Sequence, residues 1–167
     1  MAAISGIELK RPAWQNTVML ALGFWLSGSL VLDLVIMPTL YATGMMSGAG
    51  FATAAYAIFW IFNRIELLCA ALVLTGLLVL KHNQNTSSQE GRRSVLLSLL
   101  LLAIAIIYTY FLTPQMSAMG MQLNLFEPTA TPAAMTTMHG SYWILEALKL
   151  IGCGTLLGWC YRKFNFN

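Results

Sequence analysis

Residues 135–150 read MTTMHGSYWILEALKL, a stretch that opens an apolar segment with His139 and then sets Glu146 and Lys149 inside it. Whether that segment crosses a membrane decides the fold, because an ionisable group at mid-bilayer costs on the order of 2.5–3.5 kcal/mol even on mild insertion scales. Composition answers the question. Hydrophobic residues make up 58% of the 167-residue chain and charged residues only 9%, and the mean hydropathy is +0.71. Those proportions exclude a soluble domain and predict an integral membrane protein.

Working outward, four apolar segments, 17–37, 52–80, 95–113 and 141–161, are long enough to cross about 30 Å of hydrocarbon as helices rising about 1.5 Å per residue. The expected fold class is all-α, an integral membrane four-helix bundle forming one domain over residues 1–167. The second segment is over-long, so its first turns are expected at the interface or in a tilted helix. The first is longer than the apolar part of a signal peptide, lacks an A-x-A site and precedes three more spans, so it is expected to be retained.

Lysines and arginines orient the bundle. Lys10 and Arg11 precede the first span, Lys81, Arg92 and Arg93 lie in the second loop, and Arg162 and Lys163 follow the last. All fall on one side of a four-span topology, and the first and third loops contain no Lys or Arg. The positive-inside rule then places both termini in the cytoplasm. The net charge of +3 reports topology; it does not point to nucleic acid, and the basic residues are too scattered for a polybasic lipid switch. The loop KHNQNTSSQEGRR is short and polar. The other two loops, beginning PTLYATGMM and PQMSAMGMQ, each start at a proline, Pro38 and Pro114, which is expected to stop the preceding helix. The third loop is long for so compact a chain, as a lid or a contact surface would be.

Cys69, Cys153 and Cys160 all sit within spans, which excludes a disulfide framework and suits small apolar packing residues. The charges within the spans form a pattern. Counted from the basic flanks, Asp33, Arg64, Glu66, Glu146 and Lys149 start from one layer roughly 20–25 Å above the cytoplasmic boundary. Tyr108 and Tyr110 reach a similar height. A single interhelical polar network of Asp33, Asn63, Arg64, Glu66, Tyr108, Glu146 and Lys149 is therefore predicted. Arg64 and Glu66, two residues apart, face different neighbours. If Glu146 pairs with Lys149, Asp33 and Arg64 form the remaining couple and Glu66 is left over; if Glu66 takes Lys149, Glu146 is left over. Either way three acids face two bases, and the surplus carboxyl must be protonated, hydrogen-bonded, hydrated or bound to a cation.

The last span repeats by sevens: His139, Glu146, Cys153 and Cys160, with Trp143, Leu150 and Leu157 between them. This face is expected to look into the bundle, with Gly152 and the Gly154-x-x-x-Gly158 pair allowing close backbone approach. A tandem repeat is also legible. Both hairpins begin with a span ending at proline and return through FWIFNRIELL and YWILEALKLI. Aligning Trp60 with Trp143 sets Glu66 against Lys149, as in two parallel repeats about an axis normal to the membrane.

Met37, Met45, Met46, Met116, Met119, Met121, Met135 and Met138 gather at or beyond the outer span ends, near His139. Thioethers suit Cu(I), so Met135, Met138 and His139 form a candidate metal or pigment site. Methionine equally suits a pliable contact surface, which makes Met45, Met46, Met116, Met119 and Met121 a candidate outer contact loop. Copper or a pigment is the cofactor such residues would hold.

The runs GSLVLDLVIMPTLYATGM, GFATAAYAIFWIFNRIELL and MHGSYWILEALKL resemble the four-span family catalogued as domain of unknown function 4149, which is similar to the transmembrane protein 205 group. The resemblance covers most of the chain. It implies four helices and no established chemistry, marks His139 by position, and, through members from photosynthetic bacteria, suggests an accessory role in a photosynthetic membrane. No phosphate-cradling loop, nucleophile elbow, H-E-x-x-H or haem-spaced histidine pair occurs, so no enzyme is expected. The expected function is a non-enzymatic accessory or assembly factor that binds another membrane protein complex. The alternative is a small proton-coupled or copper-handling transporter using Glu66 or Glu146. Expected partners are the lipid bilayer and another integral membrane protein or a second copy, in a plasma (inner) or thylakoid membrane.

Overall fold

The computed structural model describes residues 13–48, 50–83, 89–125 and 133–165, and its regular structure is helical throughout. The first span joins α1 (Ala13–Val31), a π turn (Leu32–Ile36) and α2 (Met37–Ala42). After a short 3-10 turn (Met45–Ser47), α3 (Phe51–Asn83) returns as the second span. The third joins α4 (Gln89–Ile107), a π turn (Tyr108–Leu112) and α5 (Thr113–Leu125), and α6 (Ala133–Asn165) is the fourth. Four stretches, Trp14–Ala42, Phe51–His82, Gly91–Gly120 and Thr136–Arg162, are long and apolar enough to cross a membrane. The chain is a multi-pass, all-helical membrane protein. Helix is the expected form because hydrocarbon offers no partner for an unpaired N–H or C=O. At 33 residues each, α3 and α6 are about 50 Å long, well beyond the roughly 30 Å of a bilayer core.

The spans form a ring: α1 packs on α3 and α6, and α4 packs on the same two helices. Val18, Leu22 and Trp25 from α1, Ala70, Val73, Leu77 and Leu80 from α3, Leu101 and Ala105 from α4, and Cys153, Leu156 and Cys160 from α6 make the apolar core. It fills the half of the bundle nearer the exposed Lys81, Arg92, Arg93 and Arg162. The three cysteines are buried and no disulfide joins them, as suits packing residues. Gly76 is a close-approach site, since a side-chain carbon there would run into Val18. Lys10, Arg11 and the middle of the third loop lie outside the described residues, as does the side chain of Lys163.

The prolines do not end their helices, contrary to expectation. The first span continues through Pro38 to Ala42 and the third through Pro114 to Leu125. Proline lacks an N–H and its ring clashes with the carbonyl four residues back, and here the turn before it is widened instead of broken. Met37 N–H reaches back to Leu32 and Thr113 N–H to Tyr108, five residues each. The chain finally turns at Gly44, whose φ of 71° is the left-handed conformation that glycine adopts without strain at a helix end.

The tandem repeat is a structural fact of the burial pattern. Shifting by 76 (Pro38 to Pro114) lays buried Leu22, Trp25, Ser29 and Leu32 on buried Ser98, Leu101, Ala105 and Tyr108. Shifting by 83 (Trp60 to Trp143) lays Asn63, Glu66, Ala70, Val73 and Leu77 on Glu146, Lys149, Cys153, Leu156 and Cys160, again all buried. The π turns coincide under the first shift.

Candidate functional site

Above the apolar core sits a layer of buried polar side chains from all four spans. An i, i+4 ladder on the first span carries Trp25, Ser29 and Asp33, the last within the π turn; α3 supplies Glu66; the second π turn supplies Tyr108; and α6 supplies Tyr142, Glu146 and Lys149. Lys149 is the hub. Its Nζ donates to Glu66 Oε1 at 2.5 Å and lies 2.7 Å from Glu146 Oε1. Both carboxyls and the ammonium are essentially removed from solvent, at 1–2% exposure. Glu66 Oε1 also accepts the Trp25 indole N–H at 2.9 Å and the Ser29 hydroxyl at 3.1 Å. Three donors converge on one oxygen, the arrangement that compensates a carboxyl group for its removal from water.

The acid on the other side of Lys149 is less well served. Glu146 Oε2 accepts the Tyr108 hydroxyl at 3.0 Å, and that hydroxyl also leans on the Tyr142 carbonyl at 3.1 Å. Asp33 Oδ1 accepts the Tyr142 hydroxyl at 2.9 Å. Asp33 Oδ2 is buried and finds no hydrogen-bond partner among the described residues, whereas buried Glu146 Oε1 has the Lys149 ammonium 2.7 Å away.

Neither expected pairing describes this cluster. Lys149 does not choose between Glu66 and Glu146; it takes both. Arg64 is not the partner of Asp33. It is exposed, stacks its guanidinium 3.4 Å from the centre of the Trp60 ring and donates to the Trp60 carbonyl at 3.3 Å. Glu66 faces inward and Arg64 stands about 200° around the same helix, so the outward direction is fixed by geometry. The charge balance of the layer becomes three acids to one base. Asn63 is buried but serves a neighbouring contact, donating to Thr113 Oγ1 at 2.6 Å. Tyr110 projects outward at 63% exposure.

The sevenfold seam holds for Glu146, Cys153 and Cys160, with Leu150 and Leu157 half-buried and Leu157 packed against the core, and fails at His139 and Trp143. His139 is exposed and Trp143 is 55% exposed. The buried seam is instead completed by Lys149 and Leu156, with Tyr142 half-buried at its end. Met138 is half-buried beside exposed His139, and the side chain of Met135 lies outside the described residues. No three or more His, Cys, Asp or Glu gather to hold a metal among the described residues. Met45 is exposed, Met46, Met116 and Met119 are half-buried, and the Met121 side chain lies outside the described residues.

Opposite the buried seam, α6 presents a second one. Gly140, Ile144, Ala147, Ile151, Gly154 and Gly158 follow one another at intervals of four and three, and all are exposed. The Gly154-x-x-x-Gly158 pair thus does not pack within the bundle as expected. A side-chain carbon added at Gly140, Gly154 or Gly158 would meet nothing within 4 Å.

Sequence reasoning missed Trp25, Ser29 and Tyr142. The i, i+4 rows Trp25–Ser29–Asp33 and Tyr142–Glu146 were the available signal, since residues at that spacing share a helix face. No curated protein and no solved structure matches the chain. The family model for Domain of unknown function (DUF4149) matches residues 20–124, a region running from within the first span through the third and including both π turns, and on that match this chain belongs to the DUF4149 family.

Proposed function

We propose that the chain is a non-enzymatic accessory subunit that docks on a helix of another integral membrane protein, in a plasma or thylakoid membrane, through the outward face of α6. The observation that carries this reading is the seam from Gly140 to Gly158, whose glycines leave an open groove along the helix. Lipid tails are as apolar as leucine, so membrane helices associate by close van der Waals packing, and small residues four apart are what permits it. Ile144 and Ile151 flank the groove as knobs on the same face. The inner network frees this face for docking, because Lys149 and its two acids already tie α6 to the bundle.

The test is purification of the tagged chain from its native membranes in mild detergent, with Gly154→Leu/Gly158→Leu alongside. The wild type should bring a stoichiometric integral membrane protein, and the double variant should fold equally well and lose it. A wild type that comes alone, or a partner retained by the variant, refutes the docking reading. Recovery of a second copy alone replaces the partner by self-association.

A second reading, a proton-coupled carrier, is favoured by one observation: the excess of buried acid over base in the layer around Lys149. It ranks second because the same layer suffices to lock the four spans together.

A further inference from the structure

We propose that Arg64 and Trp60 form a binding site for the phosphate of a phospholipid headgroup, at the rim of the bundle farthest from Lys81, Arg92, Arg93 and Arg162. The inference concerns α3 and is independent of the docking face of α6. It starts from depth. Counting back from exposed Lys81 at about 1.5 Å per residue, Arg64 stands about 25 Å along α3 and Trp60 about 31 Å. The hydrocarbon core of a bilayer is about 30 Å thick, so Arg64 starts just inside its far edge and Trp60 stands at it. An independent ruler lies on α6. Trp143, the repeat counterpart of Trp60, and Tyr161 are both exposed; they stand about 27 Å apart along the helix, as aromatic side chains marking the two faces of a membrane would.

The side chain completes the climb. Every Cα–Cβ bond of a helix leans toward its N-terminus, and the N-terminus of α3 is at the far rim. Arg64 follows that lean: its guanidinium lies 3.4 Å from the centre of the Trp60 ring, and Nη1 donates to the Trp60 carbonyl at 3.3 Å, one turn nearer the rim. A guanidinium carries five N–H donors, and this bond engages one of them. The ion pairs among the described residues both belong to Lys149, so no carboxylate among them neutralises Arg64. Its companions on the exposed side of α3, Ile61, Ile65 and Leu68, are apolar. An arginine left unpaired in hydrocarbon is costly even on mild insertion scales, whereas the edge of the hydrocarbon is where lipid phosphates begin. A guanidinium takes a phosphate through two parallel N–H···O bonds, and the indole stacked against it fixes the plane of that fork. Charge singles out the position. Apart from Lys149, which is buried, every other lysine and arginine in the sequence flanks the opposite ends of the spans, so Arg64 is the cation placed to meet a headgroup at this rim. The repeat separates the two parts of the site: on α6, Trp143 keeps the place of Trp60 while Ala147 stands where α3 has Arg64. The indole marks the level in both repeats, and the phosphate ligand is added in one.

Combining Arg11→Lys, Arg92→Lys, Arg93→Lys and Arg162→Lys keeps the charge of the basic flanks and leaves Arg64 as the sole arginine of the full chain. That chain, labelled with ¹³Cζ-arginine, is reconstituted in vesicles of equal parts phosphatidylcholine and phosphatidylglycerol in phosphate-free buffer. Solid-state NMR should show its guanidinium carbon dephased by lipid ³¹P at the short range of a hydrogen-bonded guanidinium–phosphate pair. Adding Trp60→Leu should weaken the dephasing about twofold, the scale of a cation–π contact at an exposed site. A guanidinium carbon without ³¹P dephasing overturns the proposal and would leave Arg64 to a carboxylate of a neighbouring protein. Dephasing unchanged in Trp60→Leu overturns the part assigned to the indole. In the otherwise unmodified chain, Arg64→Met should remove one signal from the dephased set; a loss confined to undephased arginine signal overturns the proposal as well.

Discussion

Helices α3 and α6 are the same helix used twice, 83 residues apart, and they differ where they face away from the bundle. Their buried positions coincide from Asn63 and Glu146 down to Leu77 and Cys160, except that buried Gly76 stands against exposed Trp159. Their exposed faces also coincide in position: Ala57, Ile61, Arg64, Leu68, Ala71 and Thr75 on α3 stand where α6 has Gly140, Ile144, Ala147, Ile151, Gly154 and Gly158. The contents diverge. On α3 the face carries Arg64 folded over Trp60, a cation and an indole of the kind that anchor a helix in the interfacial region. On α6 it carries glycines with open space above them. The repeat fixes the frame through the inner seams, and the individual use of each helix is written on its outer one.

The largest effect should come from the inner seam. Lys149→Met strands Glu66 and Glu146 without their cation and should cost about 3–5 kcal/mol, the usual penalty for removing one partner of a buried ion pair. Adding Glu66→Gln to it should recover stability, measured by denaturant unfolding in mixed micelles. A double variant no better than the single would mean that the charges do not act as a unit. Tyr108→Phe comes next, at about 1–3 kcal/mol, because it deprives a buried Glu146 oxygen of its hydrogen bond. The smallest effect belongs to the outward face of α3. Arg64→Met forfeits a cation–π contact worth about 0.5–1 kcal/mol at an exposed site and should leave both the fold and any copurifying partner unchanged; a collapse of the bundle would return Arg64 to the inner network.

The chain's spans and the height of its charged layer were legible because hydropathy and a rise of 1.5 Å per residue need no knowledge of neighbours. The meeting of Glu66 with Lys149 was legible as one of two alternatives. The azimuth of Arg64 was not, because counting along a helix gives depth and leaves open which of two opposite residues faces in. The sevenfold line through Glu146, Cys153 and Cys160 was right, yet a seam needs a second line, and the sequence offers both Trp143–Leu150–Leu157 and Tyr142–Lys149–Leu156. Burial of Lys149 against two acids selects the latter and turns Trp143 outward. The prolines misled for a local reason: a proline stops a helix only if the turn before it cannot widen, and in both repeats it does.

The contrast between the two outward faces is tested most directly by photo-crosslinking in native membranes, with a photoreactive side chain at Ile151 on α6 and, separately, at its repeat counterpart Leu68 on α3. A docking face on α6 alone predicts one discrete protein adduct from position 151 and only lipid adducts from position 68. The same products from both positions, or lipid alone from each, would contradict it.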